Sequence, residues 1–399
     1  MMRMSYKIRL RVSYSFCILL LGLFSVTRVY RNSIGYSNTN VGGIWNVVTL
    51  IFMALCFVVL FKVGKFPGTI KVALIYSLIA FFNALINIKS ISLSSVYNLI
   101  MIGYFSMILC SFFAATKTGI TSKDNKLTLV VFVSVSIMVF VGLFRFRAGV
   151  LSFVMVSNAY YSLCLMPFLP LFTKKKWIIV SGYTLVGVII IFSSKRLGLI
   201  AYLAYLLVVI FYDSIKHKRA FSLLKVFLII MISIVVFATV YTKLQSKYEL
   251  NIIERTLNLS KDGGSGRDDM YREILQGMNE SSLFEWIIGH GYGTTGTVML
   301  KHDTAHNDFL EILFDFGLFP TLFFVAFYIG LLVDSLKMFR ERYEYAGVFI
   351  GSVVISLLLS MFSTYCVSYA YVTCGMASIG AIYGMKSASD YIKIDGVQK

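Results

Sequence analysis

The sequence predicts an all-α polytopic membrane protein with about twelve transmembrane helices and one large extracytoplasmic loop between spans nine and ten. Three observations predict this. Of 399 residues, 58% are hydrophobic and only 14% are charged, whereas soluble domains carry about 45–50% apolar and about 25% charged residues. The mean hydropathy of +0.79 exceeds what the interior of a soluble domain of this size absorbs. The basic residues behind the net charge of +18 sit in small clusters between apolar runs, the pattern of membrane loops rather than of a nucleic-acid surface. A soluble enzyme, a disordered scaffold and a secreted disulfide domain are thereby excluded.

A hydrocarbon core of about 30 Å needs roughly 17–25 apolar residues per helix. Runs of that kind occupy residues 12–30, 44–61, 72–88, 96–116, 127–144, 150–172, 177–194, 197–213, 223–242, 309–333, 346–365 and 368–385. The first run lacks a following small-residue cleavage site and is expected to stay as a span. Only Lys195 and Arg196 separate spans seven and eight. Cys17, Cys56, Cys110, Cys164, Cys366 and Cys374 all fall in apolar segments and read as packing residues, not disulfides or metal ligands. With a cytoplasmic N-terminus, the inner segments hold 23 Lys and Arg against 7 in the short outer segments, so both termini are expected in the cytoplasm. The chain then divides into spans one to nine (1–242), an extracytoplasmic loop with short amphipathic helices (243–308), and spans ten to twelve with a tail (309–399).

The outer cations are Arg28, Arg31, Lys89, Arg145, Arg147, Lys195 and Arg196. Snorkelling to headgroups accounts equally well for Arg28, Arg31 and Lys89. The other four oppose the insertion preference, and a charge kept against that bias usually has a partner. An arginine-bearing outer surface without carboxylates in its short loops suits phosphate, which the guanidinium fork binds through two oxygens. The 243–308 loop holds ten of the nineteen acidic residues and three of the four histidines. Within it, Asp268 to Met278 is expected to form a helix with Met270, Tyr271, Ile274, Leu275 and Met278 on one face. The glycines of 289–293 read as a tight turn after a helix rather than an anion nest. The densest polar segment runs from Lys301 to Glu311. His302 and His306 stand one turn apart, but the Glu of a zinc-helix motif and a third ligand are missing, so no metal is expected. His306 reads as a general base or acceptor-positioning group, with a helix cap as the plain alternative. His302 and His290 are either surface residues or supports. Pro167 and Pro170 interrupt span six, Pro320 interrupts span ten, and Asn158 faces a cavity or a neighbouring helix.

These residues resemble the O-antigen polymerase and O-antigen ligase-like superfamily of bacterial membrane glycosyltransferases. The resemblance rests on Ser193-Ser194-Lys195-Arg196-Leu197-Gly198, on Gly264-Ser265-Gly266-Arg267, on the turn ending at Gly293, and on His306-Asn307-x-Phe309-Leu310-Glu311 followed by Gly317. It implies a GT-C-like fold, no cofactor or metal, and transfer of a glycan from an undecaprenyl diphosphate carrier to an acceptor sugar. By the resemblance Arg196 and Arg267 engage the diphosphate and His306 lies near the acceptor hydroxyl. Arg147 and Lys195 are expected to assist, and Asn307, Asp308 and Glu311, with Asp303, to support the histidine or touch sugar hydroxyls. Lys195-Arg196-Leu197-Gly198 replaces the family's Ser-Arg-Gly, and Tyr271 stands where relatives carry an aromatic residue, often Trp. The expected activity is polymerisation of lipid-linked repeat units into O-antigen, capsular or exopolysaccharide. A ligase moving glycan to another acceptor is the alternative within the class, and a lipid-linked glycan flippase is the alternative outside it. The partners implied are the lipid-linked glycan, membrane lipid, a chain-length regulator and the pathway's flippase; nucleic acid is not among them.

Overall fold

The computed structural model describes residues 14–34, 66–87, 102–117, 119–151, 156–216, 263–299, 305–366 and 371–397, and for 31–34, 263–266 and 391–397 the backbone alone. All regular structure among them is helical: α1 (Tyr14–Ile34), α2 (Gly68–Ile86), α3 (Tyr104–Lys117), α4 (Ser122–Arg147), α5 (Ala159–Leu165), α6 (Phe168–Phe172), α7 (Lys176–Ser193), α8 (Arg196–Lys216), α9 (Gly263–Glu280), α10 (Leu283–Ile288), α11 (Thr295–Val298), α12 (Asp308–Phe316), α13 (Leu318–Arg340), α14 (Ala346–Phe362) and α15 (Val372–Val397). Five of these, α2, α4, α7, α8 and α13, are long and apolar enough to cross a membrane. The chain is therefore an α-helical multi-pass membrane protein. The expected spans at 44–61 and 223–242, together with Cys56, Lys89, His302 and Asp303, lie outside the described residues.

Apolar helices gain little from one another in lipid, so small residues and polar bonds must hold them together. Among the described helices, the pairs α3–α15, α8–α14, α1–α4 and α2–α13 pack most extensively. Gly347 and Gly351 of α14 leave room for the rings of Tyr212 and Tyr205 of α8, and Gly380 and Gly384 of α15 sit against the backbone of α3. At one end of the bundle Asp334 of α13 accepts from Thr69 Oγ1 (2.6 Å) and Tyr383 Oη (2.5 Å), tying α13 to α2 and α15. At the same end Ser15 bonds Asp124, and Lys386 pairs with Glu341. At the other end Arg147 Nε donates to Phe192 O (3.1 Å), and Asn83 Nδ2 of α2 donates to Phe316 O (2.6 Å).

Three expectations are corrected. Span ten does not start at 309, because Gly317 divides the apolar run into the short α12 and the spanning α13. Pro320 does not interrupt a span; it lies in the first turn of α13, where a proline removes no intrahelical hydrogen bond. The 150–172 run is no continuous helix: a 3-10 turn at Val156–Asn158 leads into α5, and Pro167 divides α5 from α6. The short separation of spans seven and eight is real. Ser194 closes α7 in the left-handed conformation (φ 52°) and α8 starts at Arg196, the kind of ending that stops a helix within one residue.

The helix expected from Asp268 begins at Gly263, so the Gly264–Arg267 segment forms its first turns. Met270, Ile274 and Met278 are buried on one face as expected, but Leu275 is 51% exposed and falls off it. This face packs with Met299, Ala305 and Phe314 into a second, smaller core, separate from that of the bundle. Each fully buried Met, Ile or Phe contributes about 1.5–3 kcal/mol, so this cluster helps hold α9 against α12.

Candidate functional site

The site is built on α12, which Asn307 caps by accepting from Phe309 N (3.0 Å) and Leu310 N (3.2 Å). Three carboxylates on α12 follow, all buried. Asp308 accepts from the backbone amides of Tyr365 (2.9 Å) and Cys366 (2.7 Å). Glu311 accepts from Ala305 N (2.6 Å). Asp315 accepts from Gly293 N (2.7 Å) and Thr295 N (2.8 Å), and from the Thr295 hydroxyl (2.6 Å). The amides of the glycine-rich turn thus meet an anion after all, the protein's own Asp315. Burial beside Asp308 and Asp315 pushes the Glu311 carboxyl well above the usual carboxylate range. Asn307, Asp308 and Glu311 were expected at the substrate; the structure directs their oxygens to backbone amides.

The turn after α10 lies along the end of α12. His290 N donates to Phe314 O (3.0 Å), Gly291 N to Asp315 O (2.9 Å), and Asn87 Nδ2 of the α2 end donates to Gly289 O (3.1 Å). Gly289 (φ 83°, ψ 179°) and Gly317 (φ 83°, ψ −174°) occupy backbone conformations open essentially to glycine alone. A methyl group on either would meet the backbone of the other segment. The His290 ring stacks on Phe314 at 4.1 Å and bonds Ser281 Oγ (2.9 Å) and Phe314 O (3.0 Å), a structural position.

His306 sits just before this cap with φ 53°, a left-handed conformation that histidine adopts more readily than most residues. Its Nδ1 lies 3.4 Å from Thr364 Oγ1, on the segment that Asp308 clasps. Tyr371 Oη donates to Thr364 O and lies 3.2 Å from Ser363 Oγ. The Tyr371 ring packs edge-on against Tyr160 of α5 at 5.0 Å.

Tyr160 lies beside three of these stretches of chain. A methyl on Gly198 of α8 would lie 3.2 Å from its ring. The Arg267 guanidinium acts on its phenol electrostatically, and Arg28 acts in the same way on the adjacent Tyr161. The Tyr371 ring that packs on it holds the Thr364 carbonyl, and Thr364 is the residue that meets His306. Lys195 and Arg196 stand at the N-terminus of α8, whose dipole opposes cations there by about 0.3–1 kcal/mol each. That combination favours a bound anion. Arg147 holds the end of α7 just before Ser193. Arg145 is exposed.

Among the described residues, the buried polar atoms without a hydrogen-bond partner here include Arg267 Nε, Tyr271 Oη and Ser194 Oγ. Arg267 and Tyr271 lie one turn apart on α9. Sequence reasoning missed Tyr160, Thr364 and Tyr371, since uncharged residues at the ends of apolar runs carry no motif. The one available signal was their polarity within otherwise apolar stretches.

Residues 181–325 match the model of a family described as O-antigen ligase. The matched region runs from α7 into α13 and includes Arg196, Arg267 and His306. It supports an O-antigen ligase/polymerase-like superfamily, whose members are membrane glycan-transferring enzymes. No curated protein matches the chain.

Proposed function

We propose that the chain is a membrane glycosyltransferase that polymerises undecaprenyl-diphosphate-linked oligosaccharide repeat units into a surface polysaccharide at the outer face of the cytoplasmic membrane. The observation that supports this reading is that Tyr160 neighbours Gly198 in the first turn of α8, Arg267, and Tyr371, which holds the segment against His306. Arg196 and Arg267, with Arg147 and Lys195, hold the donor diphosphate. Their charges stabilise it as the bond to the anomeric carbon breaks and its electron pair moves to the phosphate oxygen. His306 takes the proton of the acceptor hydroxyl while that oxygen bonds the anomeric carbon. Asn307, Asp308 and Glu311 set the backbone on which His306 stands. Twelve spans, a cytoplasmic N-terminus and an extracytoplasmic 243–308 loop complete the proposed topology, with the membrane lipid, a chain-length regulator and the flippase as partners.

A second reading, transfer of finished glycan to another acceptor, is favoured by the ligase description of the matched family. One experiment separates the two. Arg267→Ala is placed on the chromosome of the native strain, and lipid-linked and surface glycans are analysed together. Transfer is expected to fall about 10²–10³-fold, as for removal of a charge-stabilising donor. The protein level is expected to hold, because Arg267 Nε has no hydrogen-bond partner among the described residues to lose. Single repeats accumulating on the carrier support the polymerase, and long polymer on the carrier supports the ligase. Normal surface glycan at normal protein level would overturn both.

A further inference from the structure

We infer that Thr364 and Tyr371 form a positioning bracket that sets the orientation of the His306 ring, an inference that rests on the base role proposed above. His306 lies between helices at φ 53°, so no regular helix geometry aims its ring. Among the described residues, Thr364 Oγ1 lies within reach of Nδ1, at 3.4 Å. Thr364 is itself held at two points. The amides of Tyr365 and Cys366, the next two residues, are bound by Asp308, which directly follows the Asn307 cap. Its carbonyl accepts from Tyr371 Oη, whose ring is wedged against Tyr160. Thr364 and Tyr371 are 6% exposed, so water does not compete freely for these bonds.

The bracket has a chemical consequence. A hydrogen bond at Nδ1 fixes the plane of the imidazole and aims Nε2 away from Thr364. With Nδ1 engaged by Thr364 Oγ1, Nε2 is the nitrogen left to face the acceptor. The acceptor hydroxyl then loses its proton to Nε2 as its oxygen bonds the anomeric carbon. The carbon–oxygen bond to the diphosphate breaks, and its electrons leave with the phosphate. Through Tyr371 and Tyr160 the same bracket reaches the surroundings of Arg267, so the acceptor side and the diphosphate side share one support. Both bracket residues lie beyond the matched region 181–325.

The test uses membranes of strains carrying the full-length protein, with the lipid-linked repeat unit of the native strain as substrate. Thr364→Val keeps the shape and removes the hydroxyl, and Thr364→Ser restores it. Val is expected to lower kcat about tenfold with KM unchanged, and Ser to recover most of the wild-type rate. Tyr371→Phe, which keeps the ring, is expected to lower kcat by a smaller factor and serves if the Val protein does not accumulate. Wild-type kcat in Thr364→Val, or a Ser variant as slow as Val at equal protein level, would overturn the bracket. His306→Ala assayed in parallel separates the two ideas. If it is inactive while Thr364→Val is normal, only the bracket fails. If His306→Ala is itself normal, the base role fails first.

Discussion

Replacing His306 by alanine is expected to lower glycan transfer by about 10²–10⁴-fold, the range that a positioned general base supplies. The structure makes the choice of substitution matter. At φ 53° alanine fits the left-handed conformation less readily than histidine does, so His306→Ala alone mixes lost chemistry with weakened folding. His306→Asn removes the base but keeps a residue that tolerates the left-handed conformation. Both variants should lose transfer, and the Asn protein should reach wild-type levels in the membrane. Glycan analysis beside a quantitative immunoblot checks this. The helix cap that position 306 was otherwise read as is made by Asn307. A merely structural His306 would therefore leave His306→Asn active, and that result would move the site to the arginines.

The second large effect is on folding. Gly317→Ala is expected to cost at least about 3 kcal/mol, a large part of a domain's usual 5–15 kcal/mol. The strained backbone accounts for about 1–3 kcal/mol. The remainder comes from collision, since the added methyl would meet the Ile287 carbonyl oxygen and the Gly289 nitrogen. Main chain cannot rotate away as a side chain does. Gly293→Ala is the control: its φ is 75°, yet a methyl there meets nothing within 4 Å. It should cost only about 1–2 kcal/mol. Melting of the two purified proteins in detergent measures the difference. Equal melting points would show that the α10–α12 junction gives way.

The two outcomes trace different kinds of information. The apolar runs at 72–88, 127–144, 177–194 and 197–213 appear within five residues as α2, α4, α7 and α8, because bilayer thickness sets helix length directly. The run at 309–333 misled, because a break made by one glycine's dihedral angles does not interrupt hydropathy. The motif residues Arg196, Arg267 and His306 were legible as types, since phosphate needs cations and proton transfer needs imidazole. Tyr160, Thr364 and Tyr371 were not, because their role lies in what they touch. Asp308 and Glu311 show the same limit. These acidic residues read as supports for the histidine or contacts to sugar hydroxyls until their donors are seen. Those donors are backbone amides of residues 305 and 365–366, and Asp315, to which the sequence assigned no role, is bound by the amides of Gly293 and Thr295.

By itself the sequence determined the solvent of this protein: an apolar, helical, multi-pass chain, with arginines and a histidine inside the region that matches an O-antigen ligase family model. Hydropathy and residue type are additive along the chain, so they can be read without coordinates. The tertiary structure alone decided which polar groups face one another. It spent the carboxylates on backbone amides, left Arg267 Nε and Tyr271 Oη buried without a hydrogen-bond partner among the described residues, and set His306 against Thr364. Those pairings join residues up to 58 positions apart, and packing fixes them through directional bonds that no local pattern encodes.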